Sequence, residues 1–315
     1  MTLDLNPEFG YELVCAAPYA YWLKQQGEYV KVVTSKGMKP FYWFCDEVEE
    51  KHTTRSVNNS TNGVQNLPNN WIHHNAVANF GKDYKLLTEE EKIKANGWLD
   101  YSKWIAPPYA DKYYQKGTPS LENYIVVSNR YNLEHSQKPI GYFDIESLYK
   151  IFFQLTDKGY NIIYKRPRNT EFTTDLNEWQ NKDISANVEG VGMISDYDLT
   201  NYFDNVYLFD DIIENVGGTY NEAQLKIFSS AQGFITMGGG SSILCSYFNK
   251  PVIIYVNTSK DIRTGYFDGE SYFNKLSKAK IYPVVDTRDQ IIKRGFRDYS
   301  KVYENIKKQF CESYY

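Results

Sequence analysis

The stretch over residues 220–256 constrains the fold more than any other part of the chain. Glu222, Gln224, Leu225, Ile227 and Phe228 lie in a segment of helical spacing that Thr219 or Asn221 can cap. The apolar run Phe234-Ile235-Thr236-Met237 follows as a buried strand. Next come Gly238-Gly239-Gly240-Ser241-Ser242, a second helix over 241–248 and a second buried strand over 251–256. A glycine run between a strand and a helix lets backbone N–H groups approach an anion, with the positive end of the helix dipole behind them. In open α/β sheets, ligands bind at this edge, the carboxyl ends of the strands. The same glycines also suit a tight turn at positive φ. Ser241 and Ser242 favour the anion reading because they add hydroxyl donors.

The chain opens with a short strand over 1–5, the loop Asn6-Pro7-Glu8-Phe9-Gly10, a helix over 11–26 and a strand over 30–34. This is a βαβ unit. Leu13, Ala16, Ala17, Ala20 and Leu23 share one face of its helix, and Pro18 should kink or divide it. Residues 36–118 are less regular. Turn-rich stretches occur at 58–63 and 68–70, and a short charged helix is expected over 89–96. Pro107-Pro108 and Gly117-Thr118-Pro119 mark a domain boundary near 105–122. Beyond it, strands are expected at 125–128, 161–164, 206–209 and 281–285, a helix at 145–157, and a long charged helical tail at 289–310. The fold class is therefore α/β. The 315 residues suffice for two Rossmann-like domains of about 150 residues each.

Several polar residues fall just after strands of the second half: Arg130, Lys165, Arg166, Asp210, Asp211 and the 238–242 loop. In a parallel sheet all carboxyl ends share one edge, so these groups should converge on one crevice. Cations gathered there suit a diphosphate. Each cation alone reads more readily as a solvated surface residue, and it is the convergence of three on one edge that favours a ligand site. Glu222 could accept from ribose hydroxyls or simply answer the dipole at its helix start.

Other classes are poorly served. The net charge is −4, and no basic block points to nucleic acid. No apolar run approaches the ~20 residues of a membrane span. The N-terminus lacks a signal pattern, and Cys15, Cys45, Cys245 and Cys311 have no paired spacing. The expectation is a soluble cytoplasmic protein with reduced thiols. His73-His74 is a poor zinc pair, because adjacent residues seldom ligate one metal. No P-loop lysine motif is present. Asp261 lies about 20 residues beyond the glycines, as in dinucleotide sites, but in a loop after a strand, so a nicotinamide enzyme is a distant reading. The 29 Tyr, 17 Phe and 6 Trp suit sugar or flat-ligand surfaces, or reflect an AT-rich genome.

The order Tyr220-Asn221-Glu222-Ala223-Gln224-Leu225, Ser230-Ala231-Gln232-Gly233, the strand and glycine loop, and Asn249-Lys250-Pro251-Val252-Ile253-Ile254-Tyr255 resembles the donor half of GT-B glycosyltransferases. The resemblance covers about 120–310. It is nearest to inverting, metal-independent members such as the heptosyltransferases and the lipid-intermediate N-acetylglucosamine transferase. Glu8-Phe9-Gly10-Tyr11-Glu12-Leu13 resembles the loop after the first strand of heptosyltransferase-like enzymes, and also the opening of a viral and bacterial polysaccharide glycosyltransferase group. The helix after the glycine loop, Ile243-Leu244-Cys245-Ser246-Tyr247-Phe248, lacks the ribose-binding glutamate that some members carry there.

The resemblance implies an acceptor domain over 1–115, a nucleotide-sugar domain over 120–290, and a C-terminal helix over 291–315 that crosses back to the first. It implies transfer of a hexose or deoxyhexose from a nucleotide-diphosphate sugar to a glycan hydroxyl, with inversion and without a metal or other cofactor. Glu12, or second Glu8, would be the base that takes the acceptor proton. Glu12 reads equally as a helix-start charge, and Glu8 more readily as a loop carboxylate. Gly10, Arg130, Lys165, Arg166, Gly238, Gly239, Gly240, Ser241 and Ser242 would hold the donor and steady the leaving diphosphate. Phe209 and Asp210 would border the base slot, with Glu222 near the ribose. Tyr131, Trp104 and Tyr109 could stack on sugars, although packing suits the last two better. Asp196-Tyr197-Asp198 has the spelling of a metal motif but lies in an irregular polar region. A nucleotide-sugar epimerase and a non-catalytic carbohydrate-binding protein remain the alternatives on this fold.

Overall fold

The computed structural model describes residues 1–55, 67, 105–131, 141–166, 184–257, 267, 273, 278 and 280–312. The turn-rich stretches 58–63 and 68–70, His73-His74, the helix expected over 89–96, Trp104 and Asp261 lie outside these residues.

The first half builds a small parallel sheet in the order β1 (Thr2–Asp4), β2 (Lys31–Ser35), β3 (Glu47–His52). β3 has no apolar alternation to reveal it. It is an edge strand whose charges are answered by neighbours: Lys31 lies 2.6 Å from Glu47 and 3.2 Å from Glu49, and His52 lies 2.5 Å from Asp4.

Between β1 and β2 runs one continuous helical path: α1 (Phe9–Tyr11), a π turn over Glu12–Ala16, then α2 (Ala17–Gln25). Pro18 widens this path rather than dividing it. The Ala17 N–H turns to the Glu12 carbonyl, five residues back. In the α register Leu13 O would have accepted from Ala17, and in the π register it would accept from Pro18, which has no N–H. The Tyr247 hydroxyl donates to that carbonyl instead.

The second half builds a six-stranded, fully parallel sheet from β4 (Tyr124–Ser128), β5 (Asn161–Lys165), β8 (Val206–Leu208), β9 (Gly233–Met237), β10 (Val252–Val256) and β11 (Ile281–Val285). Its order is β11-β10-β9-β4-β5-β8. A short antiparallel pair, β6 (Ser185–Val188) and β7 (Gly192–Ser195), stands apart. The helices of this half are α3 (Tyr109–Tyr113), α4 (Ile145–Thr156), α5 (Asp196–Thr200), α6 (Phe209–Val216), α7 (Tyr220–Ser230), α8 (Gly240–Ser246), α9 (Arg288–Arg294) and α10 (Ser300–Ile306).

Strand alternation sorts the core into two layers. Tyr124, Val126, Ile163, Phe234, Ile254 and Val256 pack with Leu13, Val14, Val32, Leu225 and Tyr247, so one apolar cluster joins the first half to one face of the large sheet. Ile125, Val127, Ile162, Tyr164, Ile235 and Tyr255 pack with Leu148, Phe152, Val302 and Ile306 on the other face.

The tail departs from expectation. Gly295, at φ 85, closes α9, and α10 starts afresh at Ser300. The tail packs on the second sheet rather than crossing to the first half. The Phe310 ring lies so close over Gly233 that a Cβ there would meet Cε1 at 2.5 Å.

Candidate functional site

The chain lays down β4, β5 and β8 outward, then returns to place β9 beside β4. β4 and β9 are thus the neighbours at which the strand order reverses, the place where open parallel sheets accommodate a ligand crevice at their carboxyl edge. Register puts Lys165 and Thr236 on either side of Ser128, and alternation turns all three toward the layer shared with the first half. Ser128 Oγ lies 2.7 Å from Ser241 Oγ, which ties β4 to the first turn of α8.

Asn129 shapes the exit from β4. Its carbonyl oxygen accepts from the Arg130 and Phe143 N–H groups, each at 2.9 Å, and its amide donates to Phe143 O at 2.8 Å. Arg130 is thereby set over the glycine loop. At Gly239, φ is 128 and a Cβ would meet Arg130 Nη1 at 2.8 Å, so both the conformation and the cation demand glycine. Gly238 N–H donates to Tyr255 O at 2.9 Å. Ser242 Oγ takes the Gly239 N–H at 3.2 Å and donates to Gly239 O at 2.7 Å. Ser242 thus serves the loop itself, and Ser241 is the hydroxyl at the crevice.

Lys165 is only 7% exposed. Its ammonium sits 5.5 Å from the Phe209 ring centroid and 5.8 Å from that of Tyr220. Among the described residues no carboxylate stands within ion-pair distance of it. The aromatic faces are what the described residues offer this buried amine in place of a carboxylate.

The first half meets this edge through Phe9 and Gly10. A Cβ on Gly10 would lie 3.0 Å from Ile243 Cδ1 and 3.1 Å from Gly240 Cα, and one on Gly240 would lie 3.0 Å from Phe9 Cδ1. Two glycines thus let the two loops touch backbone to backbone. Glu8, exposed, stands at the start of α1 beside this contact.

Several expected site residues have other work. Glu12 is fully buried, and its carboxylate accepts from Thr34 Oγ1, from Tyr42 OH at 2.9 Å and from Arg55 Nη1 at 2.5 Å. Burial, then the charge of Glu12, pushes the Tyr42 hydroxyl pKa well up. A carboxylate so enclosed does not offer the open oxygen that the expectation of a base at Glu12 requires. Arg166 follows Lys165, so alternation turns it to the opposite face. There its Nη1 lies 2.8 Å from both oxygens of buried Asp196, which also accepts from Tyr164 OH at 2.6 Å. It is an internal ion pair, not a ligand for the crevice. Asp198 caps α5 through Ser195, so the two aspartates of Asp196-Tyr197-Asp198 serve different partners.

Phe209 opens α6 and is buried against Lys165, Tyr220 and Phe228, so it backs the site instead of bordering a slot. Asp210 is half-buried in the first turn of that helix. Glu222 sits in the first turn of α7, 3.0 Å from Lys226. Tyr109 is buried, with its ring 4.8 Å from that of Tyr247, and Tyr131 packs on Tyr142. No three acidic, histidine or cysteine residues among those described are arranged to hold a metal. None of the described helices is long and apolar enough to cross a membrane.

Ser128, Asn129 and Arg55 escaped the sequence reading. The first two followed a recognised strand and could have been singled out by that position. Arg55 lies in an irregular segment with no signal of its own.

No protein-family model and no curated protein matches the chain in sequence. Solved structures do match. The E. coli heptosyltransferase WaaC, solved with ADP, superposes with a TM-score of 0.51 at 10% identity, covering 97% of each chain. A glycosyl transferase family 9 protein from Veillonella parvula gives 0.47 at 10% identity, over 96% of this chain and 93% of that one. At such identity the likeness is one of fold: an α/β chain with parallel sheets in the GT-B manner.

Proposed function

We propose that the protein is a glycosyltransferase that moves a hexose or deoxyhexose from a nucleotide-diphosphate sugar to a glycan hydroxyl, with inversion and without a metal. The observation that carries this reading is Lys165. A buried cation with no carboxylate beside it among the described residues, next to the Ser128–Ser241 hydroxyl pair and Arg130 at the switch point of a parallel sheet, supports a diphosphate site.

Lys165 and Arg130 would neutralise the diphosphate, and Ser128 and Ser241 would donate to its oxygens. Glu8, exposed at the start of α1 beside the contact with the glycine loop, would act as base in place of the enclosed Glu12. It would take the acceptor hydroxyl proton as the new C1–O bond forms and the bond to the diphosphate breaks, releasing the nucleoside diphosphate. The enclosure of Glu12 favours one second reading, a donor-binding protein without transfer, and loss of transfer on Glu8→Gln with donor binding intact decides against it.

The test is a thermal-shift screen of UDP, GDP, dTDP and ADP and their sugars on wild type and Lys165→Met. A ligand at ~100 times its Kd adds about 2.7 kcal/mol. A shift with one base, absent in Lys165→Met, supports the donor site. Because a buried uncompensated charge is costly, the unliganded variant should melt at or above wild type. No shift with any nucleotide would sink the reading.

A further inference from the structure

The Glu12 carboxylate is sealed from solvent, yet its partners lead straight to the crevice. Arg55, itself 7% exposed, donates through Nη1 to Glu12 at 2.5 Å and to the Pro7 carbonyl at 2.7 Å. Its guanidinium lies 5.7 Å from the centroid of the Phe9 ring. That ring in turn packs on Gly240, where a Cβ would meet Phe9 Cδ1 at 3.0 Å. On the other side, Thr34 and Tyr42 both donate to Oε1 of Glu12, so the carboxylate cannot swing. The connected path is β2 and Tyr42, Glu12, Arg55, the 7–10 loop, and the glycine loop of the second half.

We propose that Glu12 and Arg55 are positioning residues: a buried ion pair that seats the 7–10 loop against the 238–242 loop and so presents Glu8 to the crevice. The part concerning Glu8 rests on the functional reading above, whereas the seating of the loops does not. A buried pair is a poor source of net stability, because desolvation offsets most of its attraction, but its geometry is strict. Here one guanidinium binds a fixed carboxylate and a loop carbonyl and also covers the loop's aromatic ring. Both bonds leave from one nitrogen, so a lysine could replace them in part but would lack the broad guanidinium plane beside the ring. Glu12 therefore acts through Arg55 and the loop, not on substrate.

Hydrogen exchange read by mass spectrometry on the full chain tests the seating. Wild type is compared with Arg55→Met, Arg55→Lys and Glu12→Gln. Ile151→Val, on the buried side of α4 against the far face of the sheet, controls for general loosening. Arg55→Met should speed exchange at least tenfold both at 9–13 and at 239–242, with Arg55→Lys intermediate and Ile151→Val at wild-type rates in both. Faster exchange confined to 9–13, or no change in either segment, overturns the proposal. If Arg55→Met does not fold, Arg55→Lys and Glu12→Gln are read at the same two segments by the same criterion.

The nucleotide-sugar identified by thermal shift supplies the second readout. Arg55→Lys should lower kcat for transfer about tenfold with KM for the donor unchanged, since the loop rather than the diphosphate site is disturbed. A raised KM with unchanged kcat counts against a positioning role. If no nucleotide-sugar binds wild type, the donor reading fails, and exchange alone still decides whether the pair seats the loop.

Discussion

The Tyr247 hydroxyl donates to Leu13 O, the carbonyl that the π turn and Pro18 together leave without a backbone donor. Tyr247→Phe keeps the ring against Tyr109, 4.8 Å between centroids, and removes only the donor. The carbonyl then stays buried and unanswered, at a cost of about 1–3 kcal/mol. With ~2.1 cal/mol/K of unfolding entropy per residue over 315 residues, each kcal/mol lowers Tm by about 1.5 °C. The expected fall is thus roughly 1.5–4.5 °C. Tyr247 and Pro18 should also be coupled. Pro18→Ala restores an N–H that can reach Leu13 O in the π register, so the hydroxyl becomes redundant. In the Pro18→Ala background, Tyr247→Phe should cost about 1 kcal/mol less than in wild type. Urea denaturation of the four proteins closes this cycle. Equal costs in both backgrounds, within about 0.3 kcal/mol, would refute the claim that proline creates the orphan acceptor.

Three further outcomes are expected. Arg166→Met should destabilise by about 3–5 kcal/mol, because it strands Asp196 in the core, and a normal melt with nucleotide binding lost would instead return Arg166 to the crevice. Gly10→Ala should cost about 1–3 kcal/mol on denaturation, since its Cβ meets Gly240 backbone that cannot rotate away, and Ile243→Val should relieve only part of that. Burial pushes the Cys45 and Cys245 thiols up to about 12, while the unfolded chain releases those protons near pH 9. The stability from keeping them neutral is therefore present below about pH 9 and is lost as pH rises toward 12. Urea midpoints that stay level from pH 8 to 11 would contradict this.

Local pattern carries far in this chain. The apolar runs of β4, β5, β9 and β10, the glycine loop, the helix caps and the cations at strand ends all follow from spacing and backbone preference, which act between near neighbours. Alternation even requires that Lys165 and Arg166 lie on opposite faces of β5. Which face looks onto the crevice depends on where the first half packs, and Arg166 found Asp196, 30 residues away, on the other side. Glu12 was legible as a helix-start acid, but its enclosure comes from Thr34, Tyr42 and Arg55, the last 43 residues distant. The need for Tyr247 follows locally from Pro18, whereas its identity depends on a contact spanning 234 residues. Spacing along the chain therefore determined which groups reach the carboxyl edge. Burial, set by partners remote in sequence, decided which charges are neutralised inside, because the cost of an uncompensated charge depends on its surroundings and not on its neighbours in the chain.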